Sequence, residues 1–202
     1  MRLRQLYDVL APVYSRIVPG LFELVTSRAV ERLTAGAPAS VIEVGVGPGQ
    51  FLNQLTGRSK AKVFGVDLSR AMLTRAKDNT HGVHLAQADA LALPFRNGTF
   101  ESAVAVFLLD VLPGDDTKNA LLELARVLAP GGRLVIGSLQ FTNALVRRAW
   151  MLAYQVAPDV VGQARPVRID RFLDEVGLRV LKDEEVPNAV GARVLTLVKA
   201  VG

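Results

Sequence analysis

The sequence predicts a doubly wound α/β fold, a mostly parallel sheet with helices on both faces. Three observations carry the prediction. Short apolar runs alternate with helical stripes between residues 40 and 138, a glycine-bracketed turn, Gly45-Val-Gly-Pro-Gly49, follows the first run, and Asp67 closes the second. Strands covered on both faces read as continuous apolar runs, and alternation with helices is the mark of a parallel sheet.

Each element follows in order. Val41-Ile-Glu-Val44 reads as the first strand, the glycine turn leads into a helix over Gln50 to Thr56, and Lys62 to Asp67 is the second strand. Ser69 stands where a serine side chain caps a helix, here one running through Ala76. Val83 to Gln87 is the third strand. Phe100 to Leu109 is the fourth and, from its long apolar run, the most central. Asp116 to Leu128 places Leu121, Leu124, Ala125 and Leu128 on one helical stripe, which Pro130-Gly-Gly132 ends. Arg133 to Ser138 is the fifth strand. Beyond it, Phe141 to Val161 reads as helix with loop, Ile169 to Val176 as a short helix, and Leu178 to Glu184 and Val194 to Val201 as two further strands.

At 202 residues, with 50% of them hydrophobic and 21% charged, the chain suits a single ordered domain. With no cysteine, disulfides, thiolate zinc sites, iron–sulfur clusters and cysteine nucleophiles are all excluded, and the two histidines, His81 and His84, cannot complete a transition-metal shell. No metal is expected. The basic start of the chain is interrupted by Asp8, Arg16 and Glu23, which argues against an export signal, and no apolar run is long enough to span a bilayer. A cytoplasmic monomer is expected, at most peripheral at the inner face of the membrane. The net charge of +5 is concentrated in two places, residues 1–35 with five arginines against three acids and residues 147–171 with five against two. These arginines are scattered among aliphatic residues, unlike the dense basic block of a nucleic-acid tail.

A turn of this kind lets backbone approach a ligand and aims helix-start amides at it. Taken alone it fits either a plain strand-to-helix turn or a nucleotide site. Asp67, 22 residues after Gly45, suits an acceptor for both ribose hydroxyls of an adenosine, or a cap for the helix near Ser69. A dinucleotide fingerprint needs a third glycine at the sixth position, which here is Gln50, so the pyrophosphate site is wrong. Asp89, just past the third strand, can accept a hydrogen bond from an adenine amino group.

With these motifs the chain resembles the class I S-adenosylmethionine-dependent methyltransferases. The likeness runs through residues 40–138 as VIEVGVGPG, VFGVDLS, ADALALPFRNGTFE and LARVLAPGGRLVIGS. Within that family it is most similar to the enzymes that methylate phospholipid head groups (phosphatidylethanolamine) and quinone precursors of ubiquinone and menaquinone biosynthesis. The resemblance implies a Rossmann-like, seven-stranded, mostly parallel sheet with an N-terminal amphipathic helical lid over residues 1–35 and a substrate side over 139–202. It implies that Gly45, Gly47 and Gly49 border the methionine part of S-adenosylmethionine and that Glu43 holds the turn by hydrogen bonds. It implies further that Asp67 binds the ribose, that Asp89 with the Ala90 backbone holds the adenine between Leu68 and Leu91, and that the backbone at Phe107 and Leu108 faces the sulfonium end. Val46 and Glu43 depart from the usual residues of the turn, and the histidine often found after the fourth strand is absent from Phe107-Leu-Leu-Asp-Val-Leu-Pro113.

The cofactor's sulfonium already activates the methyl group, so transfer mainly requires a nucleophile held in line. Tyr7, Tyr14 and Asp110 are the candidate catalytic residues. Tyr7 and Tyr14 lie two helical turns apart near the stripe formed by Leu6, Leu10, Val13 and Ile17, which suits a lid or an anchor on the core. Arg147, Arg148, Trp150, Met151 and Tyr154 give the segment 139–161 a basic and aromatic character suited to an anionic bilayer or to a substrate-pocket helix. The expected activity is methyl transfer to the amine of a phospholipid head group such as phosphatidylethanolamine at the membrane surface. C- or O-methylation of a quinone precursor or other small molecule is the alternative. A nicotinamide-dependent reductase is disfavoured by Gln50 and by the lack of a tyrosine with lysine four residues on. A nucleic-acid base methyltransferase lacks its Asn/Asp-Pro-Pro-aromatic tetrapeptide here, and a binding-only protein would keep Glu43, Asp67 and Asp89 without turnover.

Overall fold

β-branched and aliphatic runs become the inner strands of one mixed sheet. The computed structural model describes residues 23–114, 116–156, 158, 163–186 and 191–201. Its strands are β1 (Ser40–Val44), β2 (Lys62–Asp67), β3 (His84–Gln87), β4 (Phe100–Val106), β5 (Leu128–Leu139), β6 (Leu178–Val186) and β7 (Ala192–Lys199). Helices are α1 (23–34), α2 (Gln50–Thr56), α3 (Arg70–Asn79), α4 (Asp116–Val127) and α5 (Ala144–Val156), with 3₁₀ turns at Leu109–Val111 and Ile169–Phe172. The expected doubly wound α/β architecture is the one observed.

Strand order is β3-β2-β1-β4-β5-β7-β6, which makes β4 the middle strand. β1 pairs in parallel with β2 on one side and β4 on the other, so successive crossovers leave it in opposite directions. Such a switch point opens a crevice beyond the carboxyl ends of the strands. β7 runs antiparallel between β5 and β6.

The pleat sends alternate residues to two cores. Ile42, Val44, Leu134 and Ile136 meet Leu121 and Leu124 of α4 on one face, while Val41, Val104 and Val135 meet α1 and α2 on the other. Leu33, Leu52, Leu121, Leu124 and Phe100 are almost wholly removed from water, and each such burial contributes about 1.5–3 kcal/mol. Phe100 anchors one core by edge-on contacts with Phe64 and Phe95 at centroid distances of 5.3 and 5.0 Å.

Two expectations change here. Residues 23–34 of the expected lid form a core helix, because Val25, Ala29, Val30 and Leu33 have no exposed surface and pack on the sheet. Strand β5 also begins earlier than expected, at Leu128, with Pro130-Gly-Gly132 inside it. Gly131 turns at φ 73°, and a Cβ on Gly132 would lie 2.7 Å from the Ala129 carbonyl, so only glycine admits the close backbone approach that starts the strand.

Candidate functional site

A cleft of about 750 Å³, counting its open mouth, lies at the carboxyl ends of β1, β2 and β4. Val44, Gly45 and Gly47 form one wall, and Val66, Asp67, Leu68, Ser69 and Met72 form another. Ala88, Asp89 and Ala90 close one end, and Val106, Phe107, Leu108, Val111 and Leu112 the other.

The glycine turn owes its shape to backbone that only glycine adopts easily. Gly45, Gly47 and Gly49 stand at φ 80°, 53° and 87°. The amides of Gly45 and Val46 both donate to the Val66 carbonyl, at 2.8 and 3.2 Å. Asp67 completes the turn, accepting from Gly47 N at 2.8 Å through Oδ2 and from Ser69 N at 2.8 Å through Oδ1. Ser69 Oγ in turn accepts from Met72 N at 3.2 Å, which caps α3 as expected. One carboxylate therefore ties the β1 turn, the end of β2 and the start of α3 together.

The donor set fits S-adenosylmethionine. A carboxylate offers about four lone-pair directions. Asp67 lines the cleft at the end of β2, where a carboxylate that also accepts from Gly47 and Ser69 is placed to meet ribose hydroxyls. Asp89 Oδ1 accepts from Leu91 N at 2.9 Å, which shapes the turn that presents Ala90 to the cleft. Leu68, Met72 and Ala88 give the same end apolar walls for a flat ring. At the other end Phe107, a non-glycine residue at φ 56°, is held by its amide to the Gly137 carbonyl at 2.7 Å. Strain of this kind collects where backbone must be aimed at a ligand. Leu108 packs against the turn so closely that a Cβ on Gly45 would lie 3.0 Å from its Cδ1.

Glu43 is buried in β1 just before the turn, with Oε2 lacking a partner among the described residues. Burial first, and the nearby charge of Asp67 second, push its carboxyl well above the ordinary range. Folded protein then binds a proton that the unfolded chain releases, so this group's contribution to stability falls as pH rises above the ordinary glutamate value near 4.3. Glu43→Gln, which cannot ionise, is expected to unfold at a higher temperature than the parent near neutral pH. The gap should narrow toward pH 5, and thermal melts at the two pH values check it.

Several sequence-based placements need correction. Glu43 was expected to hold the turn, but Asp67 does so, because Glu43 lies buried in the strand while the Asp67 carboxylate reaches the Gly47 amide. Gly49 lies outside the lining and serves the helix junction, where a Cβ would meet Ala76 Cα at 3.0 Å. Leu91 packs against the hydrophobic core and also lies outside the lining. Asp110 was expected at the mouth as a catalytic group. It is fully buried, its Oδ1 accepts from Leu139 N at 3.1 Å, and its carbonyl accepts from Arg165 N at 2.9 Å. These bonds hold the turn between β4 and α4, burial raises the carboxyl well above the usual range, and Asp110 lies outside the cleft lining. Tyr7 and Tyr14 lie outside the described residues.

The cleft also uses residues that motif reading did not single out as contacts, above all Met72, Val111 and Leu112. Met72 carried a usable signal, since the third residue after a capping serine that follows the acid of β2 must return to the same site. Val111 and Leu112 had none, because their inward turn depends on Arg165, whose Nη2 donates to the Leu112 carbonyl at 3.1 Å from far along the chain.

A family model described as a methyltransferase domain matches residues 41–132. The chain is 40% identical over 114 residues to a demethylmenaquinone methyltransferase of Thermus thermophilus, covering 54% of this chain and 51% of that one. It is 38% identical over 102 residues to a phosphatidylethanolamine N-methyltransferase of Cereibacter sphaeroides, covering 48% of each. These two matches span about half the length of either relative. A longer match, 30% identical over 169 residues, reaches a 2-phytyl-1,4-naphtoquinone methyltransferase of Thermosynechococcus vestitus and covers 77% of this chain and 74% of that one. Among solved structures, the N-methyltransferase NodS of Bradyrhizobium japonicum in complex with S-adenosyl-L-homocysteine shares the fold, with a TM-score of 0.78 at 15% identity over 98% of this chain and 99% of that one. Fold, cleft and relatives agree, and the chain belongs to the class I S-adenosylmethionine-dependent methyltransferases.

Proposed function

We propose that this protein transfers a methyl group from S-adenosylmethionine to the amine of a phospholipid head group such as phosphatidylethanolamine, presented at a membrane surface. The observation that carries the reading is the acceptor end of the cleft. Phe107, Leu108, Val111 and Leu112 make it hydrocarbon, and Arg165 stands beside it through its bond to Leu112. An apolar throat with a cation at its rim suits a nucleophile that arrives on a lipid bearing a phosphate.

In this reading Asp67 holds the ribose, the Ala90 backbone and Asp89 hold the adenine, and the Gly45–Gly47 turn receives the methionine end. When bound, the cofactor supplies a methyl group already activated by the sulfonium charge. The chain's own residues then exclude water and hold an unprotonated amine in line, a positioning role that asks little of a strong base. Tyr7 and Tyr14 are proposed to close over the acceptor as part of a lid.

A quinone precursor methylated on carbon or oxygen is the second reading, favoured by the quinone-acting relatives of Thermus thermophilus and Thermosynechococcus vestitus. Such acceptors call for a base that removes a proton. Incubating the purified protein with S-adenosylmethionine and either phosphatidylethanolamine vesicles or a demethylated quinone, with mass spectrometry of the products, separates the two. Methylated lipid without methylated quinone supports the first reading, and the opposite result replaces it.

Cofactor binding is tested separately. S-adenosyl-L-homocysteine at about 100 times its dissociation constant should add about 2.7 kcal/mol to stability and raise the melting temperature by several degrees. An unchanged melting curve at millimolar ligand would remove the basis of both readings.

A further inference from the structure

We infer that α5 is the surface by which this protein docks on an anionic lipid bilayer, a step that rests on the lipid-acceptor reading and names the partner that brings the acceptor to the cleft. Leu145, Leu152 and Val156 are 74%, 61% and 77% exposed. At 100° per residue they fall within about 40° of one another around the helix, a single apolar stripe roughly 17 Å long. None of the thirteen residues of α5 is buried, so this helix is not a core element that happens to carry leucines.

Charge selects the occupant. Arg147 and Arg148 are exposed on α5, whose sequence ALVRRAWMLAYQV contains no acid. Arg168 and Arg171 are exposed on the segment that follows. An aliphatic stripe on a helix that carries two exposed arginines and no acid matches the boundary between acyl chains and anionic head groups.

Position links this face to the cleft. Trp150 donates through Nε1 to the Ala164 carbonyl at 2.8 Å, which fastens α5 to the strand of chain beside it. The next residue, Arg165, donates from its amide to the Asp110 carbonyl and from its side chain to the Leu112 carbonyl, and Leu112 lines the cleft. Two residues of chain thus connect the exposed helix to the acceptor end. A bilayer under α5 would lie two residues of chain away from the acceptor end of the cleft.

The test is flotation of the intact protein with vesicles, run without cofactor so that docking is read apart from turnover. Vesicles of phosphatidylcholine mixed with phosphatidylglycerol should carry the protein, and pure phosphatidylcholine vesicles should carry at least tenfold less. L145E/L152E should lower binding to the mixed vesicles by more than tenfold, and R147Q/R148Q by roughly fivefold per arginine. Both variants should keep the parent's melting-temperature rise with S-adenosyl-L-homocysteine, which shows that they are folded with an intact cofactor site. The inference is overturned by a parent protein that ignores anionic vesicles, or by variants that bind them as the parent does. It is equally overturned if the parent is a dimer in solution, floats with neither vesicle, and becomes monomeric in L145E/L152E, since the stripe then joins two copies. Vesicle binding that depends on α5, together with no methylated lipid, would leave the docking surface standing and remove the acceptor reading alone.

Discussion

Asp67→Ala is expected to weaken S-adenosyl-L-homocysteine binding by roughly 5- to 150-fold, the range that corresponds to about 1–3 kcal/mol for a lost charged acceptor. The geometry argues for the upper part of that range. The carboxylate accepts the amides of both Gly47 and Ser69, so its loss disturbs the turn and the start of α3 as well as the ribose contact. Asp67→Asn, which keeps one acceptor oxygen, should fall between parent and alanine. Stability should respond less than affinity, because removing this charge also relieves Glu43, whose carboxyl Asp67 pushes up. Isothermal titration calorimetry measures the affinities, and an alanine variant that binds as tightly as the parent would place the ribose elsewhere.

A large loss of stability from a single methyl group is expected at Gly49. Its φ of 87° costs an L-residue about 1–2 kcal/mol, and the new Cβ would lie 3.0 Å from Ala76 Cα and 3.1 Å from Thr80 Cγ2. Ala76 is buried backbone in α3, so relief requires α2 and α3 to move apart, with a further cost of about 1–3 kcal/mol for overpacking. Together these predict a destabilisation of about 2–5 kcal/mol for Gly49→Ala in denaturant unfolding. Gly82→Ala supplies the comparison, since Gly82 stands at φ 71° with nothing within 4 Å of its Cβ position. It should show the conformational part alone. Equal losses at the two sites would mean that the contact between α2 and α3 is not tight.

Where local chemistry decides structure, the sequence was sufficient. The helix over Gln50–Thr56 and the strand over Lys62–Asp67 appear with the bounds expected, because the glycine turn starts one and the acid ends the other. Ser69 caps α3 through the bond that its residue type forecasts. Elsewhere, distant groups overruled local pattern. The last residues of the fourth apolar run, Leu108 and Leu109, leave the strand, since Phe107 turns at positive φ and a 3₁₀ turn begins at Leu109. Asp110, the catalytic candidate after the fourth strand, is held inside by the Leu139 amide and by Arg165.

By itself, the sequence determined the doubly wound α/β class, the glycine turn and the acids at and just past the ends of β2 and β3, because periodicity, caps and turn glycines act over a few residues. Tertiary structure alone decided which groups share the cleft. It gave Asp67 rather than Glu43 the task of holding the turn, removed Gly49, Leu91 and Asp110 from the lining, and added Met72, Val111 and Leu112. It also left the apolar stripe of α5 in solvent. The reason is physical: burial and hydrogen-bond partners are set by segments up to tens of residues away, and no local pattern records whether a carboxylate or a leucine will meet protein or water.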